Sequence, residues 1–269
     1  MKSEKTHIAI IQARMNSTRL PKKVLRNING NPMLEYVIKQ TLSSKLIKNV
    51  IIATTEKNDD LPIIKYCKKN NLMYYRGSSD DLLDRYYKCA KKFKCKTIIR
   101  ITSDCPLIDP KIIDEILKKF LNNSYDYISN NIEKIDGKWE NATCNFPQGM
   151  TVEVSSFEAL EKAWKKAKKP SEREHVFPYI QFNSELFKIS NVKMKNDFSH
   201  IRCTVDKSND LKFVRKIYEK MKNEKIVTIK DIIKIIDENP KLIEINSNTK
   251  FDEGYQKSLI IDKKHGFKI

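Results

Sequence analysis

Residues 8–25 of the chain read IAIIQARMNSTRLPKKVL. The stretch opens with an apolar run, Ile8 to Ile11, which is flanked by polar sequence and is short enough to form one buried strand. Small polar residues and cations follow, and neither GxxxxGK[ST] nor GxGxxG occurs in the chain. The cations are Arg14, Arg19, Lys22 and Lys23. Because backbone N–H groups, hydroxyls and positive charges bind phosphate oxygens, the stretch predicts a phosphate-binding loop, with a solvated basic loop as the alternative.

Composition places the chain among globular proteins. Of its 269 residues, 40% are hydrophobic and 32% are charged, which is typical of one large domain with a buried core. A net charge of +18 is compatible with binding to nucleic acid. However, the 52 cationic residues are mostly lysines spread along the whole chain. We therefore expect an anionic nucleotide substrate and no nucleic acid partner.

The cysteines and the apolar runs bear on metal binding and on location. The six cysteines form no CxxC pair and only four histidines are present, so we expect no zinc site and a reduced intracellular protein. No run approaches 18 apolar residues, and no apolar segment opens the chain. The sequence predicts a soluble cytoplasmic protein with no membrane partner. The cysteines are Cys67, Cys89, Cys95, Cys105, Cys144 and Cys203.

In the first half of the chain, apolar runs of strand length alternate with amphipathic segments of helical spacing. The predicted strands are residues 8–11, 50–53, 73–75 and 97–101. The predicted helices are residues 33–42, 61–69 and 110–121, and a segment from the turn at 76–81 to residue 92. This alternation predicts an α/β fold in which a parallel sheet carries helices on both faces. Ligands of such sheets bind at the carboxyl ends of the strands.

Asp104 follows the last of these strands, within RITSDCPLID at residues 100–109. A carboxylate just past a buried strand is where a nucleotide-binding sheet places a ligand of Mg²⁺. An Asp that precedes Cys-Pro is equally typical of a turn. From the residues alone, the metal ligand and the turn residue are equally supported interpretations of Asp104.

The second half of the chain is less regular, and polar residues fill 122–148 around an apparent strand at 125–129. Alternation at 146–154 predicts a strand with Thr151 and Glu153 on one face, where Glu153 is either an acceptor contact or a solvent-facing carboxylate. Further predictions are a helix at 157–168, a strand at 201–205 that ends at Asp206, and helices at 208–222 and 228–238. The segment SEREH at 171–175 is either a capping box with a core histidine or part of a binding site.

Four motifs in order resemble one family. The segment RMNSTRLPKKVL is similar to the loop RxxSTRLPxKxL of the sugar-acid cytidylyltransferases, which include the CMP-Kdo synthetases. The resemblance is closer to the spore-coat-polysaccharide type of that superfamily. Asp104 lies in a DxPLI-like element, residues 171–179 match an REH…PY element, and VDKSNDL at 205–211 matches VDxxxDL. Asn16 and Lys22 stand where the family commonly has glycine.

The resemblance implies a mostly parallel, mixed sheet flanked by helices, in the Rossmann-like nucleotide-diphospho-sugar transferase fold. It implies one nucleotidyltransferase domain over 1–269, with a nucleotide-binding half at 1–121, an acceptor and dimerisation half at 122–206, and C-terminal helices at 207–269. The implied reaction transfers CMP from CTP to an acidic sugar of the Kdo or nonulosonate kind, with release of pyrophosphate, for surface polysaccharide synthesis. The implied partners are CTP, a small acidic acceptor and, as a homodimer, a second copy of the chain.

The same resemblance assigns site residues. Mg²⁺ is expected on Asp104 and Asp206, and Arg14 and Lys23 are expected to act with them in catalysis. Nucleotide binding is expected from Gln12, Ala13, Arg14, Ser17, Thr18, Arg19, Lys23, Ser78, Arg85, Arg100, Thr102 and Asp104. Acceptor binding is expected from Gln148, Thr151, Glu153, Arg173 and His175.

Two alternatives remain open at this point. The first is a cytidylyltransferase with another acceptor, such as a phosphorylated small molecule, and the second is a glycosyltransferase or nucleotide-sugar-binding protein of related fold. Glycosyltransferases of that type usually carry a DxD metal motif, and Asp126-Tyr-Ile-Ser129 does not match it. The tail segment DEGYQKSL at 252–259 also resembles spore-coat-type proteins, and we expect it to pack across a dimer.

Overall fold

A computed structural model describes residues 7–221, 226–249 and 252–267. Its strands are β1 (His7–Gln12), β2 (Asn27–Ile28), β3 (Asn31–Pro32), β4 (Ile47–Thr55), β5 (Met73–Gly77), β6 (Thr97–Thr102), β7 (Tyr127–Ser129), β8 (Ile132–Ile135), β9 (Lys138–Asn141), β10 (Glu153–Ser156) and β11 (Ile189–Asn191). Its α-helices are α1 (Met33–Leu42), α2 (Leu61–Lys69), α3 (Leu82–Lys92), α4 (Pro110–Leu121), α5 (Phe157–Lys166), α6 (Pro170–His175), α7 (Pro178–Gln181), α8 (Ser208–Lys220), α9 (Ile229–Glu238) and α10 (Glu253–Lys264). Short 3-10 helices occur at Lys23–Leu25, Asn58–Asp60 and Pro240–Ile245.

Seven strands form the central sheet in the order β11-β7-β10-β6-β1-β4-β5. Strands β6, β1, β4 and β5 run parallel, β10 is antiparallel to both β6 and β7, and β11 is parallel to β7. The predicted α/β fold with a mostly parallel, mixed sheet is confirmed. Because β7, β10 and β11 come from residues 122–206, both halves of the chain contribute to one sheet.

Apolar side chains of alternate residues enter the two faces of this sheet. Ile11 and Ile99 pack with helices α1, α2, α4, α8 and α9 on one face, and Ile10 and Ile98 pack with α3, α5 and α7 on the other. All four isoleucines are fully buried, and each contributes about 1.5–3 kcal/mol to folding. Polar side chains that share a face with Ile10 therefore lie together at the strand ends, as Gln12 and Arg100 do.

The predicted strand at 201–205 is wrong. This segment is extended, but Arg202 makes only an isolated bridge with Gln148 and the segment joins no sheet. Backbone bonds hold it instead: Cys203 N–H donates to Gln148 O at 2.7 Å, and Val205 N–H donates to Asp104 O at 2.8 Å. Asp206 therefore reaches the sheet edge through a loop that lies beside Asp104.

The predicted strand at 146–154 is correct only at its end, because β10 begins at Glu153. Gly149 interrupts the alternation with a φ of +89°, and a Cβ there would collide with the backbone of Thr204. The hairpin of β8 and β9 and the edge strand β11 were not predicted. These strands have three or four residues each, which is too short for a clear periodic signal.

Helix α10 carries the tail motif and packs on α6 of the same chain. Ser171 N–H donates to Asp262 Oδ1 at 2.9 Å, and His175 Nε2 lies 2.9 Å from Ser258 Oγ. These contacts lie within one chain, and packing of the segment across a dimer stays a prediction. Among the described residues, no helix combines the length and apolarity needed to cross a membrane.

Candidate functional site

A cavity of about 560 Å³ opens at the carboxyl ends of β1 and β6, beside α3 and α6. The loop after β1, which we call the basic loop (residues 13–22), forms one wall. Residues that follow β5 and β6 form the floor and a second wall, and Gly254 of α10 reaches the rim. This is the edge of a parallel sheet at which ligands bind.

Asp60 anchors the basic loop from below. Its side chain is 2% exposed and accepts hydrogen bonds from Met15 N–H at 2.6 Å and Thr55 N–H at 3.2 Å. The Thr55 hydroxyl donates to the same carboxylate. Lys22 N–H donates to Met15 O at 3.0 Å, which closes the loop. A buried carboxylate that accepts several donors fixes the local backbone, so Asp60 and the Met15–Lys22 hydrogen bond hold the loop in place.

Lys22 adopts a left-handed conformation, with φ 58° and ψ 25°. That conformation costs a residue other than glycine about 1–2 kcal/mol, which explains why glycine is common at this position in the family that the loop resembles. Asn16 has no positive φ, and its Nδ2 donates to Asp59 Oδ2 at 2.8 Å. The two departures from the family pattern are therefore different: Lys22 strains the backbone and Asn16 does not.

Lys23 brings the two candidate metal ligands together. Its Nζ donates to Asp104 Oδ2 at 2.9 Å, to Val205 O at 3.0 Å and to Asp206 Oδ1 at 3.0 Å. Burial alone would lower the pKa of Lys23, but the two carboxylates outweigh burial and raise it. Burial likewise opposes ionisation of Asp104, and the positive charge of Lys23 nevertheless holds the pKa of that carboxyl well below its usual range. The Lys23 ammonium and the Asp104 carboxylate therefore stabilise each other in their charged forms.

Asp206 is held from behind by a buried ion pair. Arg202 Nη2 donates to Asp206 Oδ2 at 3.0 Å, and Arg202 Nε donates to Asp210 Oδ1 at 2.9 Å. Asp210 is fully buried, and its second oxygen accepts Asp206 N–H at 2.9 Å and Lys207 N–H at 2.8 Å. The motif VDKSNDL thus supplies one aspartate to the site and one that positions it.

Arg19 joins the basic loop to the C-terminal helix. Its Nη2 donates to Asp206 Oδ1 at 2.7 Å, and its Nη1 lies 3.7 Å from Glu253 Oε2. Its side chain is 31% exposed, so these ion pairs are partly screened by solvent. An incoming phosphate would compete with these carboxylates for the guanidinium.

Arg14 and Arg85 are the cations of the cavity that the described residues leave without an ion pair. Arg85 is 3% exposed, and its Nε has no hydrogen-bond partner in the described part of the chain. Burial lowers the pKa of Arg85, and the neighbouring charge of Arg14 acts in the same direction. Because buried cations are normally paired, this side of the cavity is suited to an anion.

Gln12, Arg100, Glu153 and Tyr127 form a polar network on one face of the sheet. Arg100 Nε donates to Gln12 Oε1 at 2.9 Å, its Nη1 donates to Glu153, and Tyr127 OH donates to Glu153 Oε1 at 2.8 Å. Glu153 is 4% exposed. It orients Arg100 at the cavity floor and is not a solvent-facing carboxylate.

Arg173 and His175 lie on α6 and line the cavity. The guanidinium of Arg173 is used within the protein, because it donates to Asp81 Oδ2 at 2.9 Å and to Trp164 O at 2.7 Å. Burial lowers the pKa of His175 to about 4, although the carboxylates of Glu174 and Asp262 oppose the shift. His175 is therefore neutral at pH 7.

The cavity brings together most residues that the sequence assigned to nucleotide binding. Those that line it are Gln12, Ala13, Arg14, Ser17, Thr18, Arg19, Lys23, Arg85, Arg100, Thr102 and Asp104. Ser78 lies behind the wall and accepts Asp81 N–H at 3.1 Å. Of the predicted acceptor residues, Gln148 and Thr151 line a separate cavity of about 20 Å³. Asp206 touches Lys23 and Arg19 without lining the cavity.

Sequence reasoning missed several residues that the structure places in the wall. Ser79, Asp80, Glu174 and Gly254 line the cavity. The run GSSDD before α3 does indicate the position of Ser79 and Asp80, because it is a turn that follows a predicted strand. The sequence does not indicate Gly254, because the docking of α10 on α6 depends on tertiary structure. Among the described residues, no group of three or more His, Cys, Asp or Glu side chains could hold a metal, and Asp104 and Asp206 are a pair.

Comparison with known proteins identifies the family that has this arrangement. The family model described as cytidylyltransferase matches residues 8–256. The chain belongs to the cytidylyltransferase family. It is a nucleotidyltransferase that depends on CTP, as the resemblance of the basic loop predicted.

This cytidylyltransferase is similar to three known proteins over most of its length. It is 30% identical to the spore coat polysaccharide biosynthesis protein SpsF of Bacillus subtilis, over 86% of this chain and 94% of that protein. It matches the structure of a cytidylyltransferase from Leptospira borgpetersenii with a TM-score of 0.79 and 32% identity, over 92% of this chain and 99% of the other. A CMP:2-keto-3-deoxy-manno-octonic acid synthetase complexed with CTP has a TM-score of 0.62 and 15% identity, over 80% of this chain and 100% of the other, which shows a shared fold.

Proposed function

We propose that this cytidylyltransferase transfers CMP from CTP to an acidic sugar of the Kdo or nonulosonate kind and releases pyrophosphate. The observation that carries the proposal is the meeting of Lys23 and Arg19 with Asp104 and Asp206 at the cavity edge. Cations that bind a triphosphate and carboxylates that bind a divalent cation are the two parts that nucleotidyl transfer needs. The name of one relative, the spore coat polysaccharide biosynthesis protein SpsF, supports surface polysaccharide synthesis as the purpose of the product.

In the proposed reaction, an acceptor hydroxyl oxygen forms a bond to the α-phosphorus of CTP. The bond between that phosphorus and the oxygen bridging to the β-phosphate breaks, pyrophosphate leaves, and the proton of the hydroxyl passes to water. Arg14 and Lys23 offset the charge that develops on the departing pyrophosphate. Arg85, buried and without an ion pair among the described residues, is placed to bind the base, the ribose or a phosphate oxygen.

The residues present fit Mg²⁺. Two carboxylate oxygens and one carbonyl oxygen already converge on a positive charge, the Lys23 ammonium. Mg²⁺ prefers oxygen ligands and usually takes one or two protein carboxylates, with substrate phosphates and water completing its shell. Asp104 and Asp206 would hold it, and when bound it would neutralise charge at the reacting phosphate. Arg202 and Asp210 would keep Asp206 in place.

The acceptor is proposed to bind at the α6 side of the cavity. His175 and the oriented guanidinium of Arg100 lie there, and Glu153 contributes through Arg100. We further propose that the enzyme works in the cytoplasm as a homodimer, with residues 122–206 as the dimerisation half. Phe182, Leu186 and Ile260 are exposed apolar side chains and would be covered in such a dimer.

A pyrophosphate-release assay tests the proposal. The enzyme with Mg²⁺ is supplied with CTP and, in turn, Kdo, a nonulosonate, or a phosphorylated polyol, with UTP and ATP as nucleotide controls. Release with CTP and a sugar acid is the expected result. Release with the phosphorylated acceptor alone would replace the acidic sugar by the second class of acceptor. Asp104→Asn is the matched inactive control.

A further inference from the structure

Helix α10 completes the wall of the cavity at α6. The Ser258 hydroxyl lies 2.7 Å from Glu174 Oε2 and 2.9 Å from His175 Nε2. The ring of Tyr255 meets the His175 ring edge-on, with 5.1 Å between ring centroids. Ser258 is 1% exposed, so it is not accessible as a nucleophile. Two side chains of α10 therefore contact the imidazole, and Glu174 of α6 holds one of them, Ser258.

A count of protons decides the direction of these hydrogen bonds. The Ser258 hydroxyl has one proton, and it donates toward two oxygens, Glu174 Oε2 at 2.7 Å and the Gly254 carbonyl oxygen at 3.3 Å. A carboxylate oxygen and a carbonyl oxygen both accept, so the serine proton is used on this side. Ser258 Oγ must then accept from His175, which places a proton on Nε2. In a neutral imidazole with Nε2–H, Nδ1 carries a lone pair and no proton.

Nδ1 is the part of the ring that remains open. No described residue forms a hydrogen bond with it, and the sealed side-chain atoms without a partner are Thr54 Oγ1 and Arg85 Nε. His175 lines the cavity, and Nδ1 is not among these sealed atoms, so it remains accessible. Because burial lowers the pKa of His175 to about 4, the ring stays neutral at the pH of catalysis.

We propose that Ser258 and Glu174 fix His175 as the Nε2–H tautomer, so that Nδ1 accepts a hydrogen bond from a hydroxyl of the acceptor substrate. This rests on the proposed function in placing the acceptor beside α6. A lone pair does not bind a carboxylate oxygen, so His175 selects a hydroxyl group. The carboxylate of a sugar acid must lie elsewhere in the cavity, and Arg100 is the oriented donor on its floor. Ser258 and Glu174 are positioning residues.

The tautomer is measured directly by long-range ¹⁵N–¹H NMR of protein with ¹⁵N-labelled histidine at pH 7. The chain has four histidines, and His175→Gln assigns the resonance. We expect an unprotonated Nδ1 and a protonated Nε2 in the wild type and in Ser258→Thr, which keeps the hydroxyl. In Ser258→Ala, the Nε2–H tautomer should lose its dominance. Gln256→Ala, an exposed change on the same helix, is the matched control and should leave the tautomer unchanged.

A protonated Nδ1 in the wild type, or the same tautomer ratio in Ser258→Ala, would overturn the proposal whatever the enzyme's substrate proves to be. Kinetics with Kdo provide the second readout. Ser258→Ala should raise the KM for Kdo about tenfold, the effect of one hydrogen bond, while the KM for CTP stays unchanged. An equal rise in both KM values would assign Ser258 to packing of α10 alone. If Kdo is not a substrate, the proposed function fails and the NMR result still decides the tautomer.

Discussion

Lys22 and Lys23 are neighbours in sequence but lie in different surroundings. Lys22 is exposed and has a left-handed backbone, and its side chain makes no ion pair with the described residues. Lys23 is mostly buried between Asp104 and Asp206. The lysine that matches the family motif is Lys23, and the structure places it in the cavity wall, while its role in catalysis stays a prediction. The left-handed φ of Lys22 was not predictable, since lysine gives no signal of it.

Lys23→Ala should reduce turnover far more than Lys22→Ala. A charge-assisted contact to a reacting phosphate is worth about 2–4 kcal/mol in the transition state, which corresponds to a loss of about thirtyfold to a thousandfold. Steady-state pyrophosphate release by both variants, with a melting temperature for each, measures the difference. Equal and mild losses at both positions would mean that the loop supplies only a diffuse positive field.

His175 should make the stability of the enzyme depend on pH. Its pKa is about 4 in the folded protein and near 6.5 when unfolded. The unfolded state therefore binds more protons between these values, and the free energy of unfolding falls as pH drops from 6.5 to 4. This difference in the pKa of His175 corresponds to at most about 3 kcal/mol in the free energy of unfolding.

Urea unfolding of the wild type and His175→Gln at pH 7, 5.5 and 4.5 isolates this contribution. The wild type should lose stability relative to the variant as the pH falls. Asp252, whose pKa burial raises to about 6, is present in both proteins and cancels in the difference. Curves that run parallel would show that His175 does not have the lowered pKa.

Gly149 controls how the segment 201–206 reaches the site. It has a φ of +89° and packs against the backbone of Thr204, two residues before Asp206. Gly149→Ala should lower the free energy of unfolding by about 1–3 kcal/mol more than Gly30→Ala. Gly30 is the matched control, because it also has a positive φ, +102°, but no atom within 4 Å of a Cβ. Thermal and urea unfolding of both variants, with the CTP-dependent melting shift, measure the effect.

If the two alanine variants were equally stable, the contact with Thr204 would not matter. If Gly149→Ala also loses the stabilisation by CTP, the contact between Gly149 and Thr204 affects the position of Asp206 in the site.

The sequence predicted the long helices well, and α1, α2 and α4 begin and end where the periodicity placed them. It failed for 201–205, because a β-rich apolar run does not say whether its hydrogen-bond partner is a strand or, as here, a turn and a loop.

Asp104 and Asp206 are 102 positions apart in sequence and meet through Lys23. Replacing either by Asn keeps its shape and removes one charge, so activity should fall at least a hundredfold while the fold persists. The double variant should lose little more than the worse single variant, since both residues act through one ion. CTP-dependent pyrophosphate release across a Mg²⁺ titration is the measurement.

Asp210→Asn is the contrasting variant. Asp210 is fully buried against Arg202, so Asp210→Asn leaves a buried charge uncompensated. We expect the free energy of unfolding to fall by about 3–5 kcal/mol. The Mg²⁺ concentration needed for half-maximal activity should change little. Near-normal activity of Asp206→Asn would refute the two-carboxylate site.

The sequence located both aspartates by resemblance. It did not show that Arg173 and Glu153 bind other protein groups, because such pairing depends on residues distant in the chain.

The docking of α10 on α6 has a consequence for the order in which the enzyme is made. The basic loop, β1 and β6 all lie within the first 102 residues, whereas Glu253, Ser258 and Asp262 follow 150 residues later. Domains generally fold as units, and strands from both halves of this chain form one sheet. During synthesis, Lys23 emerges long before its partner Asp206, and His175 emerges before its partner Ser258. A chain interrupted before residue 258 would therefore lack the hydrogen bond between Ser258 and His175.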